Sequence, residues 1–132
     1  MSAAARIDAF VPGRHLIEGY GAGGFRFAGM SHVGSILATP VGIRAFEPLT
    51  PVEISVDSLA SLFAELAEHP RSIEIFVVGT GEKMAPLSVP VKARLREAGL
   101  RVEGMATGPA ARLYNVLLDE NRRVAAALVA AP

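Results

Sequence analysis

The sequence predicts a single α/β domain whose sheet carries extra antiparallel strands. The 132 residues are 51% hydrophobic and 20% charged, as in a folded domain with one core. Short apolar runs broken by glycine and proline fill residues 16–46, and strand-like and helix-like segments alternate after Pro51. Nothing in the composition divides the chain. We therefore expect residues 1–132 to form one domain, with residues 1–14 as a candidate flexible arm.

The amino-terminal third is predicted to form short antiparallel strands. Phe25 and Phe27 flank Arg26, and β-forming residues such as Ile36 and Ile43 recur between glycines. Because side chains alternate along a strand, Arg26 and Phe27 are expected on opposite faces. We expect no helix in this region.

The first helix is predicted after Pro51. Its apolar positions fall at i, i+3, i+4 and i+7, and they are Leu59, Leu62, Phe63 and Leu66. Ser55 or Asp57 is available as the N-cap, and Pro70 closes the segment. Glu65 and Glu68 are assigned to the solvated face of this helix.

Strands and helices then alternate to the end of the chain. Residues 72–78 form an apolar run typical of a buried parallel strand, and Ser88 and Gly99 would bound the next helix. Residues 100–105 alternate as a strand, and Thr107 is predicted to cap a third helix. The segment 123–131 has a helical composition but only the length of a strand, and we assign it as a strand.

Charge and composition argue against several classes of function. The formal net charge is zero, so there is no global electrostatic case for nucleic acid or an anionic membrane surface. The absence of cysteine removes disulfides, thiolate metal sites and a cysteine nucleophile. His15, His32 and His69 are far apart and lack a second ligand at helical or strand spacing, so no metal and no cofactor are predicted. No secretory signal or membrane-spanning run is evident, and a cytoplasmic location is expected.

Gly19, Gly21 and Gly24 match the G-x-G-x-x-G spacing of a dinucleotide-binding loop. That loop must open a helix, because the helix N-terminus receives the pyrophosphate. The residues that follow Gly24 contain glycine, proline and alternating aromatics without a helical face. We therefore interpret the three glycines as part of a tight hairpin or bulge that needs positive φ.

The adjacent Ser31 and His32 suggest a catalytic serine nucleophile and its general base. The surrounding Gly29 to Gly34 is one residue too long for the G-x-S-x-G elbow and lies between predicted strands. Adjacent residues of a strand point to opposite faces, so this pair is not expected to hydrogen-bond. We predict no catalytic residues here.

The best candidate site lies at the ends of two predicted parallel strands. If the strands ending at Val78 and Met105 are neighbours, the loops that follow open at one edge of the sheet, where ligands bind in open α/β sheets. The N-terminus of the third helix could receive an anion there, with Lys83 as a cationic partner. The predicted crevice consists of Gly79, Thr80, Gly81, Lys83, Thr107, Gly108, Arg112, Tyr114 and Asn115. A purely structural role remains an alternative for the glycines, for an ion-paired Arg112 and for a backbone-bound Asn115.

Four separate motifs carry a family resemblance. They are Gly24-Phe25-Arg26-Phe27, then Gly34-Ser35-Ile36-Leu37 with Thr39-Pro40, then Val78-Gly79-Thr80-Gly81, then Thr107-Gly108 with Arg112, Tyr114, Asn115 and Val116-Leu117-Leu118. In order and spacing, from about Ile17 to Val129, they resemble a domain family of unknown biochemical function. That family is widespread in bacteria and archaea and includes the mitochondrial NADH dehydrogenase (complex I) assembly factor three.

The resemblance implies a three-layer α/β domain with an added antiparallel β element, no established enzymatic activity and a binding role. Ala106, Pro109 and Ala111 stand where relatives often have Asp, Ala and Cys, which counts against a family-wide reaction needing an acid or a thiol there. The leading hypothesis is a non-enzymatic protein–protein interaction domain like an assembly factor, accessory to a respiratory or other membrane complex. The rival is a small-molecule or anion-binding module, conceivably an enzyme, that uses the predicted crevice. A homo-oligomer is compatible with either.

Overall fold

A computed structural model describes residues 10–132, and residues 1–9 lie outside the described part of the chain. The described strands are β1 (Val11–Pro12), β2 (Gly19–Gly21), β3 (Gly24–Phe27), β4 (Met30–Val33), β5 (Ser35–Ala38), β6 (Gly42–Phe46), β7 (Ile75–Gly79), β8 (Arg101–Met105) and β9 (Val124–Leu128). The helices are α1 (Ala60–Glu68), α2 (Val89–Glu97) and α3 (Thr107–Asp119), and two short 3₁₀ turns precede α1. The element order matches the predicted α/β pattern.

Six strands form a mixed sheet in the order β1-β6-β5-β9-β7-β8. Strand β7 pairs in parallel with both β8 and β9, whereas β5 pairs antiparallel with β6 and β9. Strands β2, β3 and β4 make a separate antiparallel sheet. The prediction of parallel β–α–β units with an added antiparallel element is therefore confirmed. Strand β1 pairs with β6, so the described end of the candidate arm contributes the outermost strand.

Two apolar clusters make the fold three-layered. Successive residues of the sheet strands point to opposite faces, as a pleat requires. On one face, Val77 and Ala126 pack with α3 and the aromatic residues of β3. On the other face, Phe76 and Ala127 pack with α1 and α2. The six-stranded sheet thus lies between α1 with α2 and α3 with the three-stranded sheet.

The alanine-rich carboxyl segment forms the central strand β9. Its five residues are buried, and three of them are alanines that let helices approach both faces of the sheet closely. Helix and strand were hard to separate here from composition alone, and the strand assignment is confirmed. Its position between β5 and β7 joins the antiparallel and parallel parts of the sheet.

The helix starts follow the predicted signals only in part. The Ser55 hydroxyl accepts the Ser58 N–H at 3.0 Å at the turn before α1, and Gly99 has φ +81° just beyond α2. The assignment of Glu65 to the solvated face is wrong. Glu65 is 8% exposed, and the Thr39 hydroxyl donates to its Oε1 at 2.6 Å. This contact with the β5–β6 connection turns the carboxylate inward.

The glycines that imitate a dinucleotide-binding loop lie in a β-hairpin. Ala22 and Gly23, with φ of 53° and 80°, turn the chain from β2 to β3. Such a pair of positive φ values is the geometry of a tight two-residue hairpin turn. A Cβ on Gly24 would collide with the His32 carbonyl oxygen, so close strand approach requires glycine there. The interpretation as a tight hairpin is confirmed.

Candidate functional site

The carboxyl ends of β7 and β8 meet as the sequence predicts. The strands pair in parallel with Gly79 opposite Met105, and the Thr80 N–H donates to the Met105 carbonyl at 2.9 Å. The loop after β7 and the start of α3 therefore leave the sheet at the same edge. The structure brings most of the predicted crevice residues into this one region.

Thr107 closes this edge by linking three segments of the chain. Its hydroxyl donates to the Val129 carbonyl at 2.7 Å and accepts the Gly81 N–H at 2.8 Å. Its own N–H donates to the Gly81 carbonyl at 2.8 Å, and the side chain is fully buried. We call the set formed by Gly79, Gly81, Thr107 and Val129 the Thr107 junction.

Close packing accompanies these hydrogen bonds. A Cβ placed on Gly79 would stand 3.0 Å from the Thr107 Cα and from its Oγ1. The Val129 N–H donates to the Gly79 carbonyl at 2.9 Å, so β9 is tied to the same point. Gly79 is therefore needed for the approach of α3 to the sheet edge.

The prediction that Thr107 caps α3 is wrong. Ala106 holds the N-cap position, and Thr107 is the first helical residue. Its hydroxyl is committed to the Gly81 and Val129 backbone, so it is turned toward the sheet instead of the helix end. The distinction matters because a capping hydroxyl marks an accessible helix end, whereas this one belongs to the interior.

The amide groups at the start of α3 are largely engaged within the chain. The Thr107 N–H is bonded to Gly81, Pro109 has no N–H, and the Ala110 N–H donates to the Ala106 carbonyl at 3.0 Å. The remaining first-turn amide belongs to Gly108, and a Cβ on that residue would collide with the Tyr20 hydroxyl. The Tyr20 hydroxyl thus lies against Gly108 in the first turn of α3.

Thr80 organises the loop after β7. Its hydroxyl donates to the Lys83 carbonyl at 2.7 Å and accepts the Ala85 N–H at 3.0 Å. Gly81 between them has φ +102°, a conformation that favours glycine. These contacts fold the loop back on itself over residues 80–85.

Asn115 and Tyr114 are structural members of the predicted crevice. The Asn115 side chain accepts the Ile17 N–H at 2.8 Å and donates to the Ile17 carbonyl at 2.9 Å, which ties α3 to the segment before β2. Backbone binding, one of the alternatives for Asn115, is therefore observed. Tyr114 is 1% exposed, and burial raises the pKa of its phenol to about 12.

Lys83 and Arg112 differ from the other crevice residues because both are exposed. Within residues 10–132 neither side chain makes a hydrogen bond or an ion pair, so the suggested ion pair of Arg112 is not found there. The crevice therefore separates into an interior that holds the fold together and two exposed cations beside it.

Ser31 and His32 lie on opposite faces of β4, as predicted. Ser31 is exposed, and its hydroxyl accepts a hydrogen bond from Arg26 at 2.7 Å. His32 is 4% exposed, with Nε2 at 3.2 Å from the Ser35 carbonyl. Arg26 is exposed and Phe27 is buried, so strand alternation assigns their faces correctly.

A groove that sequence reasoning missed runs along strand β8. It has a volume of about 350 Å³ and is lined by residues 84–87, Lys92, Arg96, Leu100, Val102 and Gly104. We call it the β8 groove. Lys92 and Arg96, four residues apart on α2, were the available signal, because that spacing places two cations on one side of a helix.

The fold and its edge define a three-layer α/β domain in which the carboxyl ends of the parallel strands are closed by the chain itself. The chain belongs to the family described as "Protein of unknown function (DUF498/DUF598)", whose model matches residues 17–129. The resemblance drawn from the four sequence motifs is therefore confirmed. No helix within residues 10–132 is long and apolar enough to cross a membrane.

Relatives in bacteria and vertebrates share most of the chain. An uncharacterized protein of Rhodobacter capsulatus is 39% identical over 116 residues, which cover 88% of this chain and 85% of that protein. The NADH dehydrogenase [ubiquinone] 1 alpha subcomplex assembly factor 3 of Xenopus tropicalis is 37% identical over 113 residues, which are 86% of this chain and 60% of that protein. The match thus leaves two fifths of the vertebrate factor uncovered.

A solved structure agrees in fold along almost its whole length. The crystal structure of an outer membrane protein from Bartonella henselae superposes with a TM-score of 0.85 at 39% sequence identity. The superposition covers 92% of this chain and 99% of that one. The fold is thus shared with a relative of nearly the same extent.

Proposed function

We propose that this chain is a protein-binding assembly factor that carries out no reaction of its own. It acts from the cytoplasm as an accessory to a respiratory NADH dehydrogenase or another membrane complex. The observation that carries the proposal is the match to named assembly factors. The Xenopus and human proteins of that name are 37% and 34% identical over 86% and 88% of this chain. The family model matches residues 17–129, which hold every described strand and helix except β1.

The geometry of the predicted crevice supports a binding role more than a ligand pocket. The hydroxyls of Thr80 and Thr107, the Gly81 N–H and the Asn115 side chain are bonded inside the chain. Tyr114 is buried in the core cluster that includes α3. Lys83 and Arg112 are the crevice members that a partner can reach, and in this proposal they contribute to its recognition.

Removal of the gene from its native host tests the proposal. We expect membranes of the deletion strain to lose most NADH-driven quinone reduction while succinate-driven quinone reduction is retained as the matched control. Native gels should then show the NADH dehydrogenase arrested at a subcomplex, and the wild-type gene should restore the full complex.

Two outcomes would overturn the proposal. One is a deletion strain in which every membrane complex resolved on native gels, the respiratory complexes included, is present at the wild-type amount. The other is a small molecule retained on the purified chain at one mole per mole and released by substitution of Lys83 and Arg112. That second result would support the anion-binding module in place of the assembly factor.

A further inference from the structure

We propose that the β8 groove binds an extended, acidic segment of a partner protein, which adds to the sheet as a strand beside β8. This inference rests on the proposed function and assigns it a surface and a partner chemistry. The surface is distinct from the Thr107 junction, which the chain itself occupies. Strand β8 contributes a free edge and the open position of Gly104, the floor of the groove is apolar, and Lys92 and Arg96 line it.

Strand β8 has a free hydrogen-bonding edge. Among residues 10–132 it is the last strand of the six-stranded sheet, and its strand partner there is β7. The Arg101 N–H donates to Glu74, and the Met105 carbonyl accepts from Thr80, so these two residues direct their backbone groups toward β7. Backbone groups alternate in direction along a strand, which turns the N–H and C=O of Val102 and Gly104 outward. These groups can pair with an added strand.

Gly104 makes room for a second backbone. It is exposed, and a Cβ built on it would meet no atom within 4 Å. Its φ does not lie in the left-handed range, so the conformation of the strand does not require glycine. Glycine inside a strand costs stability and is found where another backbone or a ligand approaches closely. An added strand supplies such an approach.

The floor of the groove is apolar. Leu100 belongs to the core cluster beneath α1 and α2, and Leu87 and Val102 pack against that cluster. Met84 also lines the groove, with 61% of its surface exposed. Methionine adapts its shape to different apolar partners, which suits a docking surface. The volume of about 350 Å³ is at the lower end for binding pockets and accommodates alternate side chains of an added strand.

Two cations on α2 favour a partner segment of negative charge. Lys92 and Arg96 line the groove, and both are exposed. Neither side chain has a hydrogen bond or an ion pair among residues 10–132. Charge complementarity therefore favours a segment with Asp or Glu on the side facing α2.

The same cations argue against a second copy of this chain as the occupant. Antiparallel pairing of β8 with its symmetry mate would continue the sheet and place the two α2 helices on the same face. Lys92 and Arg96 of one copy would then approach those of the other. Such like-charge contacts oppose association, whereas an acidic segment removes them.

Selection from a display library of random dodecapeptides tests the inference on the full-length chain. We expect wild-type protein to enrich sequences that alternate apolar with acidic residues. The double variant Lys92→Glu with Arg96→Glu should bind these peptides at least about tenfold more weakly and should enrich basic sequences instead.

Gly104 supplies a matched pair of variants. Gly104→Ala keeps the outward N–H, but its Cβ takes part of the space that is open to the added strand, so its peptide affinity should fall by about two- to tenfold and remain measurable. Gly104→Pro removes that N–H without touching the pairing with β7 and should abolish binding. Thermal unfolding of both variants confirms that the chain is folded in each comparison.

Three results would overturn the inference. Enrichment of the same acidic peptides on the charge-reversed variant would show that Lys92 and Arg96 do not recognise the acidic residues of the partner. Full binding by a folded Gly104→Pro variant would exclude strand addition. The third result is the enrichment of no peptide while dodecanoate shifts the amide resonances of Val102 and Gly104, which would assign the groove to an anionic amphiphile.

Complementation separates this inference from the proposed function. If deletion of the gene leaves every membrane complex assembled, the respiratory complexes included, the proposed function fails. If deletion arrests assembly but the charge-reversed and Gly104→Pro variants restore it fully, the assembly role stands and the β8 groove inference alone fails. Restoration by Gly104→Ala but not by Gly104→Pro supports both.

Discussion

The Thr107 junction and the β8 groove adjoin each other, yet one is closed and the other open. Met105 accepts the hydrogen bond that starts the closed edge, and its neighbour Gly104 lines the groove. At the junction, the Thr107 hydroxyl and the Gly81 N–H are bonded within the chain. In the groove, backbone groups and cations are directed outward. Position at the carboxyl edge of a parallel sheet is therefore a weaker guide to binding than the presence of free polar groups.

The largest effect is expected at the junction. Thr107→Val preserves shape but removes the hydroxyl, which leaves the Gly81 N–H and the Val129 carbonyl without that partner in a buried site. We expect the free energy of unfolding to fall by about 2–4 kcal/mol, measured by urea denaturation. Thr107→Ser, which keeps the hydroxyl, is the control and should lose much less. Equal losses in the two variants would contradict the assignment.

Gly81 in the Thr107 junction and Gly104 in the β8 groove should respond differently to substitution by alanine. Gly81 has φ +102°, so Gly81→Ala is expected to lower the free energy of unfolding by about 2 kcal/mol. Gly104→Ala is expected to change it by less than about 0.5 kcal/mol, because the added Cβ meets no atom. Both values come from thermal or urea unfolding under one set of conditions. A larger loss at Gly104 would reverse the comparison.

Asn115 tests how far the closed region extends. Asn115→Ala removes both hydrogen bonds to the Ile17 backbone and should cost about 1–2 kcal/mol, because water can partly replace them at this half-buried site. The small sheet would then exchange its amide hydrogens faster than the large one. An equal increase of amide exchange in both sheets would show that the hydrogen bonds between Asn115 and Ile17 do not stabilise the small sheet locally.

Tyr114 adds a dependence on alkaline pH. Burial raises the pKa of Tyr114 to about 12 from the ordinary 10.0, so the folded chain favours the neutral phenol. The contribution of the neutral phenol to stability is complete below about pH 10 and is lost as the pH rises toward 12, with a decrease of about 1 kcal/mol at pH 11. Tyr114→Phe should flatten this part of the stability profile. An unchanged slope would contradict the burial effect.

The sequence is enough to predict the order of the elements and the region in which the crevice residues meet. Apolar periodicity located α1, a continuous apolar run located β7, and the length of residues 123–131 favoured a strand at β9. The roles of Thr107 and Glu65 could not be predicted, because each depends on a partner more than 20 residues away, Val129 and Thr39 respectively. Local patterns report helix caps and polar faces, but they do not report which distant backbone group a side chain reaches.

The β8 groove escaped prediction for a related reason. Gly104 lies in a segment predicted only as a strand, and Lys92 lies in a helix predicted only by its ends. Only the strand order shows that β8 is an edge, and only the packing of α2 shows that both cations overlook it. Edge position is a property of topology, which the spacing of apolar residues does not encode.

Amide hydrogen exchange of the free chain tests the contrast between the two regions most directly. The account predicts that the Gly81 and Thr107 amides exchange as slowly as the central strands, whereas those of Val102 and Gly104 exchange at nearly the rate of an unfolded chain. A bound acidic peptide should then slow Val102 and Gly104 alone. Rapid exchange at Gly81 and Thr107, together with protection of Val102 and Gly104 in the free chain, would contradict the account.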